Sequence, residues 1–178
     1  LQHMNFGVGW ARAAVEDIGI QASDIHVSGG RYGIITKRTA PVWQFLLMDS
    51  SFEGQLEAAI HTMEAGFTLV RVRFAHMPVA IRIAPGEVEQ LYGRDLRMED
   101  IRSAALAHGN ARNPHSEVTL TRVACSDVPV FYGGGRPIRA PSKHYVMERF
   151  VLGLEIGGDG REKGIVQRQQ ARKLSRPA

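Results

Sequence analysis

Eight consecutive residues, Gly133-Gly134-Gly135-Arg136-Pro137-Ile138-Arg139-Ala140, hold the side chains and spacing best suited to chemistry. Three glycines let the backbone approach an anion closely, and their amides can form a nest for phosphate oxygens. Arg136 and Arg139 add guanidinium forks that match phosphate geometry. The segment follows a predicted strand and precedes a predicted helix starting near Ser142, whose N-terminus would add positive potential. It is not a Walker A loop, because the chain contains no Gly-Lys-Ser or Gly-Lys-Thr. The plainer alternative is a tight turn at a strand end, which three glycines serve equally well.

Several side chains nearby could complete a catalytic set around Arg136. Glu148 could hold Mg²⁺ or act as a base toward water, although most helix glutamates are simply solvated. His144 is a candidate general acid or phosphate donor near neutral pH. His108 and Asn110 flank Gly109, the expected stop of a helix, where a histidine also favours the helix dipole without any catalytic role. For Arg136 and Arg139 the alternative is a surface ion pair with Glu148 or Asp127. Tyr132 could stack on a base but more simply packs, and Trp10 and Trp43 read as core residues. The histidines show no HxxxH or HExxH arrangement, so no preformed zinc site is written in the chain.

Positioning these groups falls to a chain of 178 residues with 44% hydrophobic content, enough to bury a substantial core. Cys125 is the single cysteine, which excludes a disulfide scaffold or a Cys-ligated zinc module and points to a reducing, cytoplasmic setting. Neither a long apolar span nor a signal peptide is read. The formal charge is +4, and residues 161–178 carry a local +5 from Arg161, Lys163, Arg168, Arg172, Lys173 and Arg176 against Glu162. The remainder is close to neutral. Such a tail attracts polyanions through counterion release, or is merely solvated and disordered.

Apolar spacing predicts a first helix over residues 6–18, closed by Gly19. Two strands then form a hairpin about Ser28-Gly29-Gly30, and a third strand covers Val42 to Met48. Ser50-Ser51-Phe52-Glu53 has capping-box spacing before a helix over 52–65 with Phe52, Leu56, Ala59, Ile60 and Met63 on one face. The alternation from Phe67 to Phe74 places Arg71 and Arg73 together on one face of an edge strand, a candidate DNA contact. A short strand at VAIRI, a short helix from Pro85 to Tyr92 and a longer helix over 97–108 with Met98, Ile101, Ala104 and Ala105 buried follow. Strands at 117–124 and 128–132 complete an α+β domain, with no internal repeat.

The order of these elements and the loop itself resemble the ParB/sulfiredoxin superfamily. Tyr132-Gly133-Gly134-Gly135-Arg136 is similar to the aromatic-Gly-Gly start of the sulfiredoxin loop, and Arg139-Ala140 to the end of the ParB loop. The resemblance covers about residues 67–150. It implies a small mixed sheet with covering helices over 67–156, an N-terminal α/β appendage over 5–66 and a basic tail over 157–178. It also implies a nucleotide site of Gly133, Gly134, Gly135, Arg136, Arg139, His108 and Asn110 that takes ATP or another nucleoside triphosphate, with Mg²⁺. Gly135 stands where sulfiredoxins carry their catalytic cysteine, so sulfinic-acid reduction is not implied. No match to the later ParB box or to its helix-turn-helix domain is present.

The resemblance further implies the activity of a plasmid-encoded fertility-inhibition factor: an ATPase and DNase that degrades DNA bound for type IV secretion. Arg136, Glu148 and His144 are then catalytic. Arg71, Arg73, Arg161, Lys163, Arg168, Arg172 and Lys173 contact DNA, and a relaxase–DNA complex or secretion components are the partners. Two other readings compete: a non-catalytic, nucleotide-switched DNA-binding module, and a protein that blocks a secretion partner by surface contact.

Overall fold

The computed structural model describes residues 18–36, 43–63, 65–84, 90–109, 117–156 and 162–174. The helix expected over 6–18 lies outside these apart from Ile18, and so do Trp10, Asn110 and Arg161. Among the described residues every regular element is a strand, and all fourteen join one hydrogen-bonded sheet. The α+β expectation is therefore overturned: the chain coils as a β-solenoid. The small mixed sheet with covering helices implied by the superfamily resemblance is not the fold.

The coil has three walls. The first rung is β1 (Ile18–Ser23), β2 (His26–Ser28) and β3 (Tyr32–Ile35), and the second is β4 (Trp43–Met48), β5 (Ser51–Glu53) and β6 (Ala58–Thr62). In the third, β7 (Ala65–Val70) is followed by β8 (Arg73–Ile83), which covers the second and third walls. The fourth is a single long strand, β9 (Gln90–His108), bent around all three. In the fifth, β10 (Glu117–Ser126) lies along β9 on the first two walls and β11 (Val130–Gly133) on the third. All pairings to this point are parallel, each strand lying on its counterpart one rung away.

The chain then reverses. β12 (Ile138–Arg139) runs antiparallel to β11, and β13 (His144–Ile156) returns antiparallel along β10. β14 (Glu162–Lys173) turns again and pairs antiparallel with β13. Residues 162–173, read from sequence as part of a solvated tail, are thus the last strand of the sheet.

Sharp corners make the coil possible, and they follow a local pattern. The segments DIHVSG (24–29), DSSFEG (49–54), RVRFAH (71–76), DLRMED (95–100) and RVACSD (122–127) each begin and end on a residue with φ between 48° and 73°. Glycine enters this left-handed region freely and aspartate more readily than most, whereas arginine and histidine do so at a cost. Between the corners, the middle residue of each arch points inward. Val27, Phe52, Phe74, Met98, Cys125 and Tyr145 form one stacked row, with the Phe52 and Phe74 rings stacked at 5.6 Å. On the first wall Phe45, Phe67, Leu91, Val118 and Leu152 form another, with Phe45 and Phe67 stacked at 4.7 Å.

These corners explain why two helices were expected where none exist. Along a strand, inward positions recur every second residue, but a corner shifts the phase by one. Met98 and Ile101 both point inward because Asp100 turns the chain between them, so their spacing imitates a helical face. The same shift over 52–65 aligned Phe52, Ala59 and Ile60, yet Leu56 is 72% exposed, opposite to its expected place in a helix. Of the helix expected at 85–92, residues 85–89 lie outside the described residues and Gln90 to Tyr92 belong to β9; in place of the helix expected near Ser142, β13 begins at His144. β2 and β3 do flank Gly29 and Gly30, but each pairs with the rung above instead of forming a hairpin. The repeat unrecognised in the sequence is this six-residue arch, recurring every 22 to 27 residues.

Candidate functional site at the C-terminal end of the coil

The glycine loop is the reversal point of the chain, between β11 and β12. Packing leaves no room for a side chain at Gly134 without a shift of Tyr132, and little at Gly133. A Cβ on Gly134 would lie 2.1 Å from the Tyr132 hydroxyl, and one on Gly133 3.2 Å from the Ala104 Cβ. The Tyr132 ring folds back beneath the loop, is fully buried, and its hydroxyl lies 3.1 Å from His108 Nδ1. Burial raises the Tyr132 phenol and lowers the His108 imidazole from their ordinary pKa values, so both are neutral at pH 7. Tyr132 therefore packs instead of offering a face to a base.

Past the loop, the core ends on a polar layer. Among the side chains described, Tyr145, Met147, Phe150 and Leu152 of β13 are the last buried apolar ones, and their partners on β14 are Lys173, Ala171, Gln169 and Gln167. Directly paired residues project to the same side of a sheet, so β14 places amides and an ammonium where the next apolar layer would stand. Terminal repeats of solenoids need such a polar outer face. The Gln167 side-chain amide donates to the Arg136 carbonyl at 3.0 Å and ties β14 to the reversal loop.

Between loop and strand lies a depression of about 300 Å³, lined by Arg136, Pro137, Ile138, Arg139, Gln167 and Gln169. The lining holds two cations, two amides and no carboxylate. Neither Arg136 nor Arg139 has an ion-pair partner among the described residues, although both acids proposed for them are close in sequence. Asp127 is held by Lys143 at 3.3 Å, and Glu148 accepts from Arg172 Nε at 3.0 Å. Arg149, Arg168 and Lys173 are exposed on the same two strands without an ion-pair partner among the described residues. Among the described residues β14 pairs only with β13, and its basic side chains stand along the edge it leaves.

The expected site residues are thus only partly brought together. Arg136 and Arg139 converge. His144 sits on the second wall, bonded through Nδ1 to Ser126 Oγ at 3.0 Å, and Glu148 is committed to Arg172. His108 is buried under the loop. Arg168, Arg172, Lys173 and the backbone of Lys163 lie on β14. Arg71 and Arg73 belong to the body: Arg71 forms a left-handed corner and grips Asp49 through two bonds of 2.6 and 2.7 Å, while Arg73 bonds Glu99 at 2.6 Å. They do not share an edge-strand face, since β7 and β8 each pair on both sides. Cys125 is buried, which pushes its thiol up to about 12 and leaves it unreactive. Gln167 and Gln169, the two lining residues missed in sequence, lie within the QRQQ run, which is polar throughout and carries no apolar alternation to mark a strand.

Among the described residues no group of three or more His, Cys, Asp or Glu side chains is placed to hold a metal, and no helix is long and apolar enough to cross a membrane. The chain matches no protein-family model, and no curated protein matches it in sequence.

Proposed function

We propose that this chain is a nucleic-acid-binding module that engages DNA phosphates with the C-terminal end of its solenoid. The observation that carries the reading is the convergence of Arg136 and Arg139 on one carboxylate-free depression beside the basic strand β14. Unpaired guanidiniums at a surface are available to phosphate, whereas those locked to aspartate must first break a charge-assisted bidentate bond. Of the three functions expected from sequence, non-catalytic DNA binding fits these contacts best, because His144 and Glu148 have partners of their own away from the depression.

The test is DNA binding by the full chain across a salt series, with Arg136→Ala and Arg139→Ala as comparison. Each substitution should weaken binding by about tenfold and flatten the salt dependence by about one counterion, the behaviour of a phosphate contact. Binding that is unchanged in both variants would remove the depression from the reading. Running the series with Mg²⁺ and ATP extends it to the hydrolytic expectation: loss of intact DNA in wild type but not in Arg136→Ala would make the module an ATP-dependent nuclease.

A further inference from the structure

Building on that reading, we infer that the depression is a receptor for a phosphomonoester, namely the terminal phosphate of a DNA strand, rather than for the internal phosphodiesters of a duplex. Shape and charge both lead there. A duplex offers its phosphates along convex ridges, which suit an extended basic surface and not a concavity of about 300 Å³ whose lining also includes Pro137 and Ile138. Such a space takes one phosphate with part of its sugar.

Charge separates the two kinds of phosphate. An internal phosphodiester carries one negative charge, and a phosphomonoester carries close to two above its second pKa of about 6. Two guanidiniums unneutralised by any carboxylate in the lining match the dianion. A monoester also has three terminal oxygens to accept from them, and the Gln169 amide on the β14 wall supplies a neutral donor. Gln167 is already engaged with the Arg136 carbonyl and acts by holding that backbone in place.

The experiment compares two single-stranded oligonucleotides of one sequence, labelled at the 3′ end and carrying either a 5′-phosphate or a 5′-hydroxyl, titrated with the full chain. At about pH 7.5 the phosphorylated strand should bind about tenfold tighter, the effect of one strong charge-assisted contact. Lowering the pH to about 5.5, below the second phosphate pKa, should shrink that advantage several-fold, while binding of the hydroxyl strand changes little. Arg136→Ala and Arg139→Ala should each abolish the advantage with unchanged melting temperature. Equal affinity for both strands at the higher pH would overturn the inference and leave general DNA binding standing. If neither strand binds, the inference falls, and the salt series on duplex DNA decides the wider reading by itself. An advantage that persists in both arginine variants would also overturn it, by placing the terminal phosphate elsewhere.

Discussion

The body of the solenoid and its C-terminal end use arginine in opposite ways. In the body, arginines cross rungs to reach acids: Arg71 to Asp49, Arg73 to Glu99, Arg82 to Glu57, Arg122 to Asp95, and Arg31 together with the Tyr32 hydroxyl to Glu57. Arg94, Arg97 and Arg102 lack an ion-pair partner among the described residues, but they share their stretch of β9 with Asp95, Glu99 and Asp100. At the end, the balance is reversed: among the side chains described on the last two strands Glu148 is the one acid with an ion-pair partner, and Arg172 takes it. Stacked rungs bring like residues into register, so a repeating coil must alternate its charges or repel itself. Among the described residues no further rung lies on β14, and its cations are not drawn into cross-rung pairs there.

Removing the body's apolar stack is the most damaging way to break this contrast. Phe74→Ala should cost about 3–5 kcal/mol and unfold the coil as a whole, read as a lower midpoint in urea with an unchanged slope. Gly134→Ala should come next, at about 1–3 kcal/mol, because its new Cβ meets the buried Tyr132 hydroxyl. A comparable loss from Ala at Gly135 would show instead that the whole loop, and not its fit over Tyr132, is what matters.

A smaller effect sharpens the electrostatic side. Arg122 holds the Asp95 carboxyl below its usual pKa, with two bonds of 2.6 and 2.7 Å. A carboxylate depressed in the folded state contributes stability above its unfolded pKa of about 4 and loses it as pH falls through the lower folded value. Asp95→Asn should therefore lower the melting temperature slightly at neutral pH, and the gap from wild type should close in strong acid. The least effect on stability belongs to Arg136→Ala and Arg139→Ala, within about 0.5 kcal/mol of wild type in denaturant unfolding. A larger loss there would mean that the end, too, spends its cations on structure.

Strands were legible in the sequence wherever one wall ran long enough to show its period. Val42 to Met48, residues 117–124 and 128–132 were expected as strands and are β4, β10 and β11. The arches were not legible, because three inward residues separated by corners produce spacings of two and three that read as helix. What would have exposed them is alignment of the chain with itself: the aspartates at 24, 49 and 95 fall at the same step as arginines at 71 and 122. The cations of the site were legible as Arg136 and Arg139, since a glycine run beside arginine is informative in either fold. Their amide neighbours were not, because Gln167 and Gln169 reach the loop only through a strand pairing with β13 that lies about thirty residues downstream.

The reversal at residues 133–138 also ends the parallel stack at a defined point. Parallel and antiparallel ladders space their hydrogen bonds differently, so the returning strand β13 ends the parallel stack and offers no template for another parallel rung. Whole rungs could be inserted or deleted upstream of Gln90, each changing the long axis by about 4.8 Å, while the strands that pack against the reversal loop, β9 to β14, keep their pairing with one another. The architecture thus behaves as a ruler with a fixed tip, in which the reach of the binding end and its chemistry are set by separate stretches of sequence.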